Sequence, residues 1–295
     1  QLPASAQFTD LGTFLQGSKD DAEILMENYL YPYVDGLASG LSAGWYNNAR
    51  PHKLLGFDIT VTGTGVLIPS SEQEFNIKEL TFSEFYVPDG QPEFAPTAAA
   101  KKDVEGVVLR KDITDPTGSI SYPIDFKTPQ GTGVSMLAVP AIKAGLGLPK
   151  GTELMVRYFP TVDIQEAASV GLWGLGLKHS LKQWIPVIKR VPVVNLSVMG
   201  AFTKLSAESN ITFTPAEMSV DDRTTAGTFD DQSMNLDMTN FTANLLASVN
   251  VPVLSVYAGV GVSSSKSALE FLGNYPTSLS ADMAGAYVDD TNVEE

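Results

Sequence analysis

Long stretches in which apolar and polar residues alternate are the feature that most constrains this chain. The longest begins at Leu55, and an apolar residue or glycine occupies every second position as far as Leu67. Side chains of a β-strand point to opposite faces in turn, so this period of two predicts a strand with one apolar face. Weaker strand candidates lie at 74–86, 119–127 and 134–148, and clear alternation recurs at 154–163, 173–180, 194–203, 241–250, 254–263 and 279–287.

Two folds produce such strands, and three features of the pattern separate them. A soluble β-sandwich buries its apolar faces, whereas a transmembrane β-barrel turns them toward lipid and keeps the polar faces inside. Several segments reach the roughly 9–11 residues with which a tilted strand crosses a bilayer. Charged residues of the strands stand on the polar faces, and aromatic residues cluster near strand ends, as in the girdles of membrane barrels. These features favour the barrel over the sandwich.

The predicted fold is therefore all-β, a transmembrane antiparallel β-barrel of about 12–14 strands when complete. We expect residues 1–53 to form an N-terminal segment with a helical plug, and residues 54–295 to form the barrel. The candidates number about ten, and the last residues read as the start of a polar loop. We therefore expect further strands beyond Glu295.

The helix is predicted from Ser18, which can cap a first turn carrying Asp20, Asp21 and Glu23. Pro32 and the following glycines interrupt the pattern, so a second short helical piece is expected after them. Because the helix precedes the first strand, it can fold back into the barrel as a plug. The alternative is a helix that lies outside, on the periplasmic rim.

Composition narrows the classes of function. A net charge of −15 disfavours nucleic acid as a partner. The chain has no cysteine and two histidines, so neither a metal site nor a cofactor is predicted. His179 and Ser180 are neighbours on a strand and point to opposite faces, and no G-x-S-x-G motif is present. The sequence therefore predicts no catalytic residues and no enzyme.

Two groups of residues are candidates for a functional site. The first is the segment before the long strand, which either lines a ligand path or only holds the plug in place. The second is a set of charged residues on polar strand faces, which form either a charge network across the lumen or an anion-selective lining. The first group is Trp45, Tyr46, Asn47, Asn48, Arg50 and His52, and the second is Asp58, Glu153, Arg157, Asp163 and Lys178.

The start of the chain indicates where the protein works. Ala4-Ser5-Ala6 has the small-x-small pattern of a signal-peptidase site. No run of 18 apolar residues is present, so no transmembrane helix is predicted. Export together with membrane-barrel strands predicts the bacterial outer membrane, with outer-membrane lipid and other outer-membrane or periplasmic proteins as partners.

Three blocks of sequence resemble an uncharacterised family of Bacteroidota outer-membrane β-barrels. They are Leu30-Tyr31-Pro32 with Gly36-Leu37, 40–49, 51–53 and 56–58; 145–154 with 157–160; and 174–181 with 184–186. The layout of a helical plug before long strands is similar, more loosely, to the long-chain fatty-acid transporter superfamily. That likeness implies about fourteen strands and a route for apolar molecules, although some of its members dock with export machinery instead.

Two functional hypotheses follow. In the first, the barrel takes up or binds a small hydrophobic ligand, which predicts an apolar pocket near the plug. In the second, the barrel is a non-transporting subunit of an outer-membrane complex for secretion or envelope assembly, which predicts a blocked lumen. Fold alone does not separate them.

Overall fold

A curled antiparallel sheet of seven long strands dominates the protein. The structure, a computed structural model, describes residues 19–114, 121–164, 168–210 and 233–272. The long strands are β1 (Phe57–Leu67), β6 (Met136–Leu148), β7 (Thr152–Ile164), β8 (Ala168–Ser180), β9 (Val194–Asn210), β10 (Ser233–Val251) and β11 (Leu254–Leu272). The other elements are α1 (Lys19–Ser42), β2 (Glu74–Asn76), β3 (Phe94–Pro96), β4 (Val108–Thr114), β5 (Ser121–Lys127) and α2 (Pro186–Lys189).

The strand order follows the chain, with one insertion. The sheet runs β1-β6-β7-β8-β9-β10-β11, and every neighbouring pair is antiparallel. A tight turn at Lys150 and Gly151, both with positive φ, joins β6 to β7, and β10 passes to β11 at Val251. Residues 68–135 are inserted between β1 and its partner β6. The sequence therefore specifies a meander that is interrupted once.

The two faces of the sheet differ sharply in chemistry. On β10 the outward residues from Phe241 to Val251 are all apolar, whereas the inward face carries Asn240, Thr242 and Ser248, all buried. On edge strand β11, Val262 is 74% exposed. The apolar face is thus the exposed one and the polar face is the covered one, which is the opposite of a soluble sandwich.

Helix α1 lies against the inner face of the sheet. It contacts β1 and β6 at one side of the sheet and β10 and β11 at the other, so the sheet curls around it as a half-barrel. Leu41 packs on Val139, Leu172 and Met238 from three different strands. Pro32 lies inside the helix, and the expectation of a separate second helical piece is wrong, because α1 continues to Ser42.

The insertion of residues 68–135 covers the first half of α1. It contains two small sheets, β2-β3 and β4-β5, and its residues Ile77, Phe85 and Leu109 form an apolar cluster with Leu25 and Tyr29 of the helix. The predicted strand over 74–86 is wrong beyond Asn76, because a single turn of 3-10 helix follows at Ile77–Glu79. The weak alternation over these residues therefore does not produce a continuous strand.

Asp21 joins the start of α1 to this insertion. Its carboxylate is fully buried and accepts hydrogen bonds from the backbone N–H groups of Ser83, Glu84 and Phe85, at 2.6, 2.8 and 3.0 Å, and from the Ser83 hydroxyl at 2.9 Å. Burial raises the pKa of Asp21, but these hydrogen bonds outweigh it and hold the pKa below its usual value. Asp21, which was expected only to match the helix dipole, therefore also anchors the start of α1 to the insertion.

None of the described helices is long and apolar enough to span a membrane. Three predictions lie outside the described residues: the Ser18 cap, the strand at 279–287 and the processing site at Ala4-Ser5-Ala6.

Candidate functional site

The segment that follows α1 turns inward across the sheet. Trp45 is fully buried and packs with Met155 and Met199. Gly174 and Gly176 of β8 lie directly beneath its ring, and a Cβ on Gly176 would come within 3.0 Å of the ring carbons. The next residue, Tyr46, makes an edge contact with Tyr257 of β11 at 6.1 Å between ring centroids. Glycines on the inner face thus make room for the indole.

Arg157 of β7 caps the carboxyl end of α1. Its guanidinium is fully buried and donates to the carbonyl oxygens of Leu41 and Ala43, both at 3.0 Å. The guanidinium also lies 5.7 Å from the centroid of the Trp45 ring, within the range of a cation–π interaction. No carboxylate in the described part of the chain forms an ion pair with Arg157. The helix dipole and two carbonyls stabilise this cation instead.

A second charged group forms where β1, β7 and β8 meet the Trp45–Lys53 segment. Glu153 is buried, and its Oε2 accepts from the backbone N–H of His52 at 2.9 Å and lies 3.1 Å from Lys178 Nζ. His52 Nδ1 lies 3.0 Å from the same oxygen, and His52 Nε2 lies 3.7 Å from Asp58 Oδ1. The register explains the contact with Lys178, because Glu153 and Lys178 are cross-strand partners.

Lys143 of β6 belongs to this group and was missed at the sequence level. Its ammonium is 5% exposed and donates to the Trp45 carbonyl oxygen at 3.1 Å. Within the described residues it has no carboxylate at ion-pair distance, although Asp58 and Glu153 are near enough to act on it electrostatically. The available signal was that Lys143 is the lone charge on its strand, on the face shared with Val139 and Ala141.

These side chains surround a cavity of about 460 Å³. That volume lies in the range of about 300–1,000 Å³ that small-molecule sites occupy. Its lining is polar and charged throughout, apart from Pro51. The lining residues are Asn47, Asn48, Arg50, Pro51, His52, Lys53, Asp58, Lys143, Glu153 and Lys178.

The same atoms bear on a metal site. One ligand atom each from His52, Asp58 and Glu153 lie within 4.8 Å of one another, which suits three ligands of one ion. However, Glu153 Oε2 already accepts from Lys178 and from the His52 backbone. An added cation would also face the Lys143 and Lys178 ammonium groups. The electrostatics of the cavity therefore oppose a cation.

The residues of the first candidate group divide between two places. Trp45 and Tyr46 lie in an apolar cluster with the sheet, whereas Asn47, Asn48, Arg50 and His52 line the cavity. Asn48 Oδ1 also accepts from the backbone N–H of Arg50 at 2.7 Å and from the Ser248 hydroxyl at 3.1 Å. These bonds hold the segment in place.

In the second candidate group, Asp58, Glu153 and Lys178 come together. Arg157 lies on the same face of β7 as Glu153, two inward-facing positions further along the strand. Asp163 does not join them. It lies about 33 Å further along β7 than Glu153, at 3.3 Å per residue. In addition, the pairing of β7 with β8 shifts by one residue between Phe159 and Val162, so Asp163 pairs with Ser169 and is exposed. A one-residue slip moves a side chain to the other face, which sequence alternation alone did not reveal.

The comparisons with known proteins identify a family and nothing finer. No curated protein and no solved structure matches the chain. One family profile does match, over residues 1–295, and its description is a family of unknown function, DUF6588. Because the match covers the whole sequence, this chain belongs to the DUF6588 family.

Proposed function

We propose that this chain forms a transmembrane β-barrel of the bacterial outer membrane, with α1 as its internal plug. The observation that carries the proposal is the exposed apolar outer face of the curled sheet. On three strands spread across the sheet, β1, β8 and β10, the outward residues Val61, Leu175 and Leu245 are 80%, 49% and 45% exposed. A contiguous apolar surface across seven strands exceeds what soluble monomers expose, and hydrocarbon is the medium that removes it from water.

The height of this face supports the proposal. Outward residues of β10 are apolar from Phe241 to Val251, which is about 33 Å of strand at 3.3 Å per residue. At a tilt of about 40° that length corresponds to about 25 Å, the height of the apolar band of outer-membrane barrels. Beyond Phe241 the outward face becomes polar, and Asp237 pairs with Lys204 at 3.3 Å. The band therefore ends in charged groups.

The connections at the two ends of the sheet also suit this fold. One end carries the tight β6-β7 and β10-β11 turns and the connection of residues 181–193, and the other carries the much longer insertion of residues 68–135. Outer-membrane barrels have short periplasmic turns and long external loops. At the short-turn end, Trp184 and Val187 are 69% and 76% exposed, where interfacial aromatic residues are expected. Further strands paired to β1 and β11 would complete a barrel of about 12–14 strands.

Of the two functional hypotheses, the packing of the interior favours the second, a closed barrel that acts as a non-conducting subunit of an envelope assembly. Leu41, Trp45 and Arg157 are fully buried between α1, the segment after it and the sheet, so side chains fill the space between the helix and the described half-barrel at this level. Uptake of a hydrophobic ligand, the other hypothesis, calls for an apolar pocket near the plug. The cavity beside the plug is polar and charged, which favours the closed barrel.

The three tryptophans provide the test of membrane insertion. Trp173 lies on the outer face and is 46% exposed, Trp184 lies at the short-turn end, and Trp45 is buried inside. Single-tryptophan variants, with phenylalanine at the other two positions, are reconstituted into vesicles with brominated acyl chains. Trp173 is the cross-strand partner of Lys204, at the edge of the apolar band. We therefore expect shallow bromines to quench Trp173 at one interface and Trp184 at the other, and no bromines to quench Trp45.

The result that would contradict membrane insertion is quenching of Trp173 by aqueous iodide and not by brominated lipid. The same vesicles test closure of the interior. We expect no conductance above that of protein-free bilayers, because side chains fill the interior around Trp45. Stable open-channel currents would exclude the closed barrel and leave the membrane location standing.

A further inference from the structure

We propose that the cavity beside His52 binds a small anion that carries a carboxylate or phosphate group. The inference concerns the described cavity alone and does not depend on the membrane location proposed above.

The first argument is the balance of charge in the cavity lining. Four cations line the cavity, the buried Lys143 and Lys178 and the exposed Arg50 and Lys53, whereas its carboxylates are the buried Glu153 and the partly exposed Asp58. Apart from His52, four positive charges thus meet two negative ones, and an anion in the cavity would reduce this excess.

The second argument is the supply of donors. Each lysine ammonium carries three N–H groups. Lys143 donates to the Trp45 carbonyl oxygen and Lys178 approaches Glu153, which are their polar contacts among the described residues. Both ammonium groups line the cavity, so their other N–H groups can serve an acceptor inside it. Asn47 and Arg50 add side-chain N–H donors to the same lining. Carboxylate and phosphate oxygens are the acceptors that match such a set.

The third argument is the field around the entrance. The whole chain has a net charge of −15. In contrast, the short-turn end and the inner strand faces beside it carry only two carboxylates, Asp58 and Glu153, within 45–58, 143–157 and 177–196. The basic residues of the same ranges are Arg50, Lys53, Lys143, Lys150, Arg157, Lys178, Lys182, Lys189 and Arg190. An excess of positive charge around the mouth of a cleft raises the local concentration of anions and speeds their entry.

The fourth argument distinguishes an anion from a metal ion. The three potential ligands His52, Asp58 and Glu153 would place a divalent cation beside the two lysine ammonium groups. Metal binding would also have to displace Lys178 from Glu153 Oε2, which it approaches to 3.1 Å. An anion displaces no described contact and adds acceptors where donors are in excess. The cavity thus fits a small anion better than a cation.

The test is calorimetric titration of the detergent-solubilised full-length protein with inorganic phosphate and, separately, with succinate. Sodium chloride holds the ionic strength constant, so that general screening is the same at every point. We expect saturable binding of at least one of the two anions, at one per chain. Saturation by phosphate alone would identify a phosphate group as the ligand, and saturation by succinate alone would identify a carboxylate.

Variants locate the site. We expect Lys143→Gln to weaken the affinity at least tenfold, because it removes a buried cation that lines the cavity. Arg50→Gln changes an exposed lining position and is expected to weaken binding severalfold. It replaces Lys143→Gln as the test if circular dichroism shows that the buried variant does not fold. Lys189→Gln is the matched control, since Lys189 is exposed at the same end but outside the cavity lining. Its affinity is expected within twofold of the wild type.

Three results would overturn the proposal. One is the absence of saturable binding for both anions. Another is an equal loss of affinity in Lys143→Gln and Lys189→Gln, which would indicate attraction to the basic surface alone. The last is saturable binding of Zn²⁺ that His52→Ala abolishes, which would make the cavity a cation site. Each is independent of the lipid-quenching result.

Discussion

The two ends of α1 are held in opposite chemical ways. At its start, apolar residues such as Leu25 and Tyr29 pack into the insertion, and the buried Asp21 carboxylate accepts backbone N–H groups. At its end, the buried Arg157 cation donates to backbone carbonyls, beside a cavity with charged walls. An anion at the amino end and a cation at the carboxyl end both match the helix dipole. The start is closed by apolar packing, whereas a cavity of ligand size lies beside the end.

Removal of the Arg157 side chain should have the largest effect on this comparison. Arg157→Ala leaves the Leu41 and Ala43 carbonyls without their donor and opens a void beside Trp45. We expect a loss of about 4 kcal/mol in the free energy of unfolding, from the cavity and the unpaired buried carbonyls together. Guanidinium titration followed by tryptophan fluorescence measures it.

Arg157→Lys is the control, because it keeps the charge and one donor direction but not the planar fork. A loss smaller than that of Arg157→Ala is expected. If Arg157→Ala is as stable as the wild type, the end of α1 is held by apolar packing alone, like its start, and the contrast between the two ends disappears.

A smaller effect is expected from a methyl group under Trp45. In Gly176→Ala the new Cβ would lie 3.0 Å from the indole ring and 3.1 Å from Met155. Overpacking of this kind costs about 2 kcal/mol. Gly200→Ala is the matched control on the next strand, since nothing lies within 4 Å of its Cβ position. The same denaturation measurement compares them, and equal stabilities would mean that the ring moves aside freely.

The smallest effect is a pH dependence at the start of α1. The pKa of Asp21 is lowered in the folded protein, so its carboxylate contributes stability above the pKa of the unfolded chain. That contribution is lost as the pH falls through the lowered folded pKa. At neutral pH we expect Asp21→Asn to be less stable than the wild type by roughly 1.5 kcal/mol.

The difference between wild type and Asp21→Asn should shrink as the pH is lowered from roughly 5 to 3, because protonation removes the advantage of the carboxylate. Unfolding midpoints of the two proteins across that range provide the measurement. A difference that stays constant with pH would assign the effect to shape and not to charge. Glu74→Gln, at an exposed carboxylate of the insertion, is the control and is expected to show no such convergence.

Alternation in the sequence determined the long strands, because a period of two follows from strand geometry itself. It placed the centres of β1 and β6 to β11 to within a few residues, although β8, β9, β10 and β11 all extend further than predicted. It also grouped Asp58, Glu153 and Lys178 on polar faces. Local propensity likewise predicted a helix before the first strand, with Trp45 and His52 after it.

Only the tertiary structure decided which face is covered, since an alternating strand is compatible with either assignment. It also decided the contacts that depend on register and bulges. The shift after Phe159 turns Asp163 away from the inner face, and pairing with β7 places Lys143 of β6 opposite Arg157. The capping of α1 by Arg157 joins residues more than a hundred positions apart. Such contacts depend on how strands align in space, which no local pattern records.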